Sequence, residues 1–149
     1  MNPARLVVLP LILVLSACAA IGGGPALTPL DGPVMRYTER SARGGMDALV
    51  RGRLVLEGDC LYLDGEERYP VVWPAGATWD GERSAVVSPN GAALPVGTDV
   101  SGGGGYLSLA DVEQVLGAEA SQLAQRCVDN SDGEVAFFNN ASDAVGPAT

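Results

Sequence analysis

The chain has 149 residues, of which 47% are hydrophobic and 18% charged, a balance typical of one folded domain rather than of a disordered chain. Its formal net charge of −9 at pH 7 makes nucleic acids and anionic lipid headgroups poor electrostatic partners. The sequence contains neither histidine nor lysine, so Ser-His-Asp and Cys-His catalysis, histidine-ligated zinc, lysine Schiff bases and Walker-type phosphate loops each lack an essential residue. We therefore predict no cofactor and no metal site.

The first element is an apolar segment at residues 6–15, which is too short to span a hydrocarbon core of about 30 Å. Residues 15–18, of sequence LSAC, follow it and resemble the lipobox of bacterial lipoproteins. The resemblance implies that residues 1–17 are a signal peptide and that Cys18 becomes the lipidated first residue of the mature protein. A transmembrane anchor and an ordinary secretory signal are the alternatives.

A lipidated Cys18 predicts a protein held by its lipid on the extracytoplasmic face of the cell membrane. Two or three acyl chains anchor stably, because each buried methylene contributes about 0.8 kcal/mol. Glycines and prolines recur through residues 18–45, which predicts a flexible tether after the lipid. The apolar residues Val34, Met35 and Tyr37 leave open a first edge strand instead.

From residue 46 the sequence predicts a compact β domain that extends to residue 140, followed by a disordered tail at 141–149. Apolar and charged residues alternate from Val50 to Glu57, as in a strand with one buried face. Turn residues separate further apolar runs, which predict strands at 60–63, 68–73, 84–88, 92–96, 98–100 and 134–138.

Helix signals occur only near the C-terminal end. Ser108 and Asp111 have the spacing of a capping box, and apolar residues follow at helical spacing until Gly117. A second short helix is predicted at 118–126. The predicted fold class is therefore mainly β, either a small Greek-key barrel of the OB type or a compact sandwich, with one or two short helices near the C-terminal end.

Cys60 and Cys127 are the two cysteines that remain if Cys18 is lipidated. In an oxidising extracytoplasmic compartment the simplest prediction is one disulfide between them. The disulfide would close a loop over residues 60–127, for which the chain-entropy model gives a stabilisation of roughly 4 kcal/mol. A reactive thiol or a metal pair is the alternative, but no histidine or lysine is present to lower a thiol pKa.

Four aromatic residues are candidates for a ligand-stacking surface: Trp73, Trp79, Tyr62 and Tyr69. Flat apolar rings at a barrel mouth suit the stacking of sugars or bases, and Trp73 lies where a predicted strand meets a proline. The alternative is that these rings fill the core, since the chain has few aromatic residues.

Two further segments are weaker candidates. The glycines of 102–105 have neither a GxGxxG register nor a following lysine, so a bulge, close packing or a flexible loop is favoured over phosphate binding. The acidic segment 129–134 lacks EF-hand spacing, which favours a solvated turn over a calcium site.

The blocks CLYL at 60–63, YPVVWP at 69–74 and GGGGY at 102–106 resemble those of small bacterial lipoproteins without an assigned activity. The resemblance covers about residues 49–139. It implies a real domain and supports the pairing of Cys60 with Cys127, but it provides no catalytic residue.

The predicted function is a non-enzymatic binding or structural module of the cell envelope, with an envelope protein or a glycan as its partner. The alternative is a carboxylate-dependent hydrolase that acts on envelope glycans or peptides. Its candidate carboxylate pairs are Glu57 with Asp59, and Asp80 with Glu82. The absence of histidine and lysine favours the binding module.

Overall fold

The structure is a computed structural model and describes residues 27–28, 32–37, 46–116, 118–128, 133–140 and 145–148. Cys18, the predicted signal peptide and much of the predicted tether lie outside these ranges. The described residues contain eleven strands and two helices. In chain order they are β1 (Leu27–Thr28), β2 (Met35–Tyr37), β3 (Ala48–Glu57), β4 (Cys60–Asp64), β5 (Arg68–Trp73), β6 (Thr78–Asp80), β7 (Ala85–Val87), β8 (Ala93–Pro95), β9 (Asp99–Ser108), α1 (Leu109–Leu116), α2 (Ala118–Gln125), β10 (Glu134–Phe138) and β11 (Val145–Pro147).

Five of these strands form a closed barrel in the order β3, β4, β5, β10, β9 and back to β3. All neighbours are antiparallel except β5 and β10, which are parallel. Because β9 returns to lie beside β3, the order of strands is that of a Greek key. The predicted mainly β class is confirmed, and the barrel rather than the sandwich is the architecture present.

Strand β3 shows why the alternating sequence folds in this way. Val50 and Leu54 are fully buried, whereas Arg51 and Arg53 between them are exposed. Gly58 has a φ of 58°, a left-handed conformation that glycine adopts without steric cost, and it turns the chain from β3 into β4. Burial of alternate residues on β3 thus fixes which side of the strand faces the barrel interior.

The alternation divides the buried residues between two clusters. The barrel interior holds Val71 and Trp73 of β5, whereas Val72 between them packs beneath the helices. The interior cluster contains Val34, Val50, Leu54, Leu61, Leu63, Val71, Trp73, Ala77, Val86, Leu94, Val100, Ala136, Phe138 and Val145. The cluster between barrel and helices contains Met35, Tyr37, Tyr62, Val72, Ala75, Leu109, Val112, Ala124, Cys127, Val135 and Phe137.

A second, three-stranded sheet has the order β6, β7, β8. Its buried residues Ala77, Val86 and Leu94 belong to the same cluster as Trp73, so this sheet covers the barrel interior near the end of β5. Strands β7 and β8 confirm the hairpin that the sequence predicts, with tighter bounds. Strand β6 was not predicted.

Two edge segments differ from the prediction. Strand β1 pairs with β2 and β2 pairs in parallel with β5, so the tether prediction is wrong at Leu27–Thr28 and at Met35–Tyr37. The alternative of a first edge strand is right that a strand forms there, but β1 precedes β2 and lies outside it, so β2 is neither first nor at the edge. Val34, Met35 and Tyr37 are each at most 9% exposed, which explains why this short apolar run is ordered against the barrel. The disordered tail is likewise wrong at Val145–Pro147, which pairs with β9 as β11.

The glycine run lies inside β9 and not in a loop. Gly104 faces β10, where an added Cβ would overlap the carbonyl oxygen of Phe137 and lie 3.0 Å from the Cα of Phe138. Of the three explanations for the glycine run that the sequence allowed, a bulge, close packing or a flexible loop, the structure supports close packing.

The two helices lie between β9 and β10. The hydroxyl of Ser108 donates a hydrogen bond to the Asp111 carboxylate at 2.7 Å and accepts one from the Asp111 backbone N–H at 3.2 Å, which confirms the predicted helix start. The predicted disulfide is also confirmed: Cys60 and Cys127 are bonded, with their Cα atoms 5.7 Å apart. It ties the start of β4 to the chain just after α2.

Candidate functional site

The four aromatic residues proposed as one ligand surface do not converge. Trp73 is fully buried in the barrel interior, with its ring centroid 5.3 Å from that of Phe138, so the core alternative holds for this residue. Its indole N–H has no hydrogen-bond partner among the described residues. Trp79 is half-buried in β6 and packs closely against Gly32.

The two tyrosines also separate from each other. Tyr62 is 8% exposed and packs on the outer side of the barrel, beneath the helices, with the guanidinium of Arg68 5.6 Å from its ring centroid. Tyr69 packs against the interior cluster instead. Strand geometry explains the division, because successive side chains of a strand point to opposite faces. Leu63 follows Tyr62 on β4 and so lies on the opposite face, and Tyr69 lies on the same face as Leu63 because the two residues pair across β4 and β5.

Tyr69 contacts Tyr106, a residue that the sequence analysis did not select. Their ring centroids are 4.7 Å apart and their planes are inclined at 53°. Tyr106 is on β9, just after the glycine run, and it was missed because this run was not read as a strand. Carried through 102–105, the period of two would have placed Tyr106 on the same side as the buried Val100.

The two rings lie at an open groove of about 770 Å³, which we call the tyrosine groove. This volume is within the range of sites that bind small molecules or a few side chains. The groove is lined by Leu49, Arg51, Gly52, Arg53, Asp64, Gly65, Glu66, Glu67, Tyr69, Asp99, Val100, Tyr106 and Ala148.

Some charges in the tyrosine groove already have partners. Arg53 donates two hydrogen bonds to Asp99, at 3.1 and 3.0 Å, and this hydrogen bonding lowers the pKa of the Asp99 carboxyl. Asp64 accepts a hydrogen bond from Arg68 at 3.4 Å. The groups that remain without an ion pair in the part of the chain that the structure describes are Arg51, Glu66 and Glu67.

Tyr69 is tied to one of these carboxylates. Its hydroxyl donates a hydrogen bond to Glu67 with an O–O distance of 2.5 Å. This hydrogen bond is the main cause that raises the pKa of Tyr69 to about 12, and burial and the negative charges of Glu67 and Glu134 raise it further. The phenol is therefore neutral and oriented at physiological pH, with negative charge beside its ring.

A second groove, of about 550 Å³, lies beside the disulfide, and we call it the disulfide groove. Its walls include Met35, Tyr62, Leu123 and the two bonded cysteines, and its charged rim includes Arg126. It is more apolar than the tyrosine groove, and its lining contains fewer charged residues.

One carboxylate of each pair considered for hydrolysis has another contact. Glu57 accepts a hydrogen bond from Arg68 at 2.5 Å. Asp80 accepts the backbone N–H groups of Glu82 and Arg83, each at 3.1 Å, and so closes the turn after β6. These contacts give Glu57 and Asp80 structural roles.

The described ranges contain neither clustered metal ligands nor a membrane-spanning helix. There, no group of three or more His, Cys, Asp or Glu side chains is close enough to hold a metal ion. In the same part of the chain, neither helix has the length and apolar character needed to cross a membrane. Residues 129–132 of the acidic segment lie outside the described ranges.

Comparison with known proteins identifies no relative: no protein family, no curated protein and no solved structure matches this chain. The fold and the disulfide define its class as a small, disulfide-linked, five-stranded Greek-key barrel with a helical insertion before the last barrel strand.

Proposed function

We propose that this protein is a lipid-anchored, extracytoplasmic component of the bacterial cell envelope whose barrel binds a partner in the tyrosine groove without catalysing a reaction. The lipid attachment rests on the LSAC sequence that ends at Cys18. The binding role rests on one observation, the contact between Tyr69 and Tyr106 at an open groove with unpaired charges at its rim.

The chemistry of the groove suits recognition. Tyrosine rings provide a large contact area with few rotatable bonds, and their hydroxyl groups add directional hydrogen bonds. The hydroxyl of Tyr69 is held by Glu67, so this ring is already oriented before a partner arrives. A groove of this kind favours binding because little side-chain freedom is lost on association.

The same residues give less support to catalysis. The chain has no histidine or lysine to act as a general base near neutral pH. Of the carboxylates considered for hydrolysis, Glu57 is paired with Arg68 and Asp80 holds a turn. These observations favour the binding module over the hydrolase.

Anchoring is tested by expressing the full chain in a bacterium and comparing it with the Cys18→Ser variant. We expect the first to fractionate with membranes and to carry the mass of acyl chains on Cys18, and the variant to be unprocessed and free of acyl mass. An unmodified Cys18 in the membrane-associated protein would show that the anchoring proposal is wrong.

Binding is tested in the same cells with a photo-crosslinking residue placed at Leu49, which lines the tyrosine groove and is 61% exposed. The matched control places the same residue at Val96, which is 36% exposed and outside that groove. We expect a discrete crosslinked product from position 49 and none from position 96. Crosslinking that is equal at both positions, or absent from position 49, would contradict a partner in the tyrosine groove.

A further inference from the structure

The unpaired charges indicate what kind of partner the tyrosine groove accepts. Its lining contains four carboxylates and two guanidinium groups. Asp99 is paired with Arg53 within the lining, and Asp64 shares Arg68, which lies outside the lining, with Glu57. Two carboxylates, those of Glu66 and Glu67, therefore remain against one unpaired cation.

The aromatic rings reinforce this negative character. The face of a tyrosine ring attracts cations because of its quadrupole, and Arg68 already makes such a contact with Tyr62, 5.6 Å from its centroid. At Tyr69, negative charge from both Glu67 and Glu134 helps to raise the pKa of the phenol to about 12. A cation in the tyrosine groove would thus lie among aromatic rings and carboxylates together.

We infer that the tyrosine groove binds a basic peptide segment, with a lysine or arginine side chain placed between the Tyr69–Tyr106 rings and the carboxylates of Glu66 and Glu67. This inference rests on the proposed binding function and specifies its partner. The chain's net charge of −9 adds long-range attraction for such a segment. An acidic peptide or a phosphate group would be repelled by the same charges.

Substitutions at the acidic and basic residues of the groove should change the affinity for a basic peptide in opposite directions. Replacing both Glu66 and Glu67 by Gln removes the attraction while preserving side-chain size and an acceptor for the Tyr69 hydroxyl. We expect the dissociation constant to rise by about three- to tenfold, as for the loss of exposed ion pairs. Arg51→Gln removes a like charge from the groove, and we expect binding roughly twofold tighter.

The measurement is titration of the full chain in detergent with a short oligolysine peptide whose ends are blocked, followed by calorimetry. The same peptide with acetylated lysines has the same backbone without the charge, and a neutral glycan oligomer tests the other partner class. The control variant Glu82→Gln/Glu113→Gln changes the net charge by the same amount at exposed positions outside the tyrosine groove. We expect it to bind within about twofold of the wild type.

The outcomes separate this inference from the proposed function. Equal weakening by the groove and control variants would show attraction to net charge alone and would overturn the inference. Binding of the acetylated peptide or of the glycan in preference to oligolysine would overturn it too, while crosslinking from Leu49 would still support a partner in the groove. Failure of that crosslinking would instead contradict the proposed function itself.

Discussion

The substitution Gly104→Ala tests the argument that the glycine run of β9 is required by packing. Gly104 lies opposite Phe138 on β10 and opposite Ala48 on β3, so it has a barrel strand on each side. An added Cβ would overlap the carbonyl oxygen of Phe137, which is backbone and is not free to rotate away. Strand β9 would have to move away from β10 to accept one methyl group.

The cost follows from what this movement disturbs. Overpacking of a well-packed site costs about 1–3 kcal/mol. Each weakened backbone hydrogen bond between β9 and β10 adds about 1 kcal/mol, and the fully buried Phe138 loses part of its packing. We therefore expect a loss of at least about 3 kcal/mol, a large part of the 5–15 kcal/mol by which such domains are stable.

Urea denaturation gives the free energy of unfolding for this variant. The matched control is Gly146→Ala in β11, another strand glycine beside β9, because no atom lies within 4 Å of its added Cβ. We expect the control to stay within about 0.5 kcal/mol of the wild type. A Gly104→Ala protein that unfolds within 1 kcal/mol of the wild type would refute the packing argument.

Three further predictions concern the disulfide, the helix start and the tyrosine groove. Replacing Cys60 and Cys127 together by serine should lower the free energy of unfolding by roughly 4 kcal/mol, measured by urea denaturation under non-reducing conditions. An unchanged free energy of unfolding would contradict the argument that the disulfide stabilises the protein by restricting its unfolded chain. Ser108→Ala removes both contacts with Asp111 and should cost about 1 kcal/mol in the same assay, whereas an unchanged midpoint would argue against the cap. The hydrogen bond from Tyr69 to Glu67 exists only while the phenol is protonated, and it raises the pKa of Tyr69 to about 12. Its contribution to the stability of the fold should therefore be complete below pH 10 and lost as the pH rises towards about 12. The ionisation of Tyr69 can be followed by the ultraviolet absorbance of its phenolate. In Glu67→Gln we expect the pKa measured in this way to fall back towards the ordinary value of tyrosine, and an unchanged pKa would contradict the role given to Glu67.

Elements with a local signal were predicted well from the sequence. The apolar alternation of β3, the turn at Gly58 and the capping box at Ser108 each depend on residues close together in the chain. The parallel pairing of β5 with β10 and the addition of β2 depend on contacts between distant segments. The hydrophobic pattern of one segment does not show which distant segment it pairs with. The sequence therefore predicted the mainly β class and two possible architectures, a barrel or a sandwich, but not these strand pairings.

The candidate site was predicted less well, for a physical reason. Trp73 and Tyr69 were grouped with Tyr62 because they are near one another in sequence. Strand alternation sends Tyr62 to the outer face, and the length of β5 separates the buried Trp73 from the groove. Tyr106 enters the groove only because β9 continues through the glycines as a strand.

The early position of β1 sets how far the barrel stands from its membrane if Cys18 carries the lipid as proposed. Strand β1 begins at Leu27, so only nine residue steps separate the lipid from the sheet. Nine residue steps of chain can span at most about 30 Å. On that proposal the barrel would be held near the headgroups, with the β1 edge of the sheet nearest its point of attachment. Its partners would be found in the thin aqueous layer next to the bilayer, where tethering raises the local concentration of the groove.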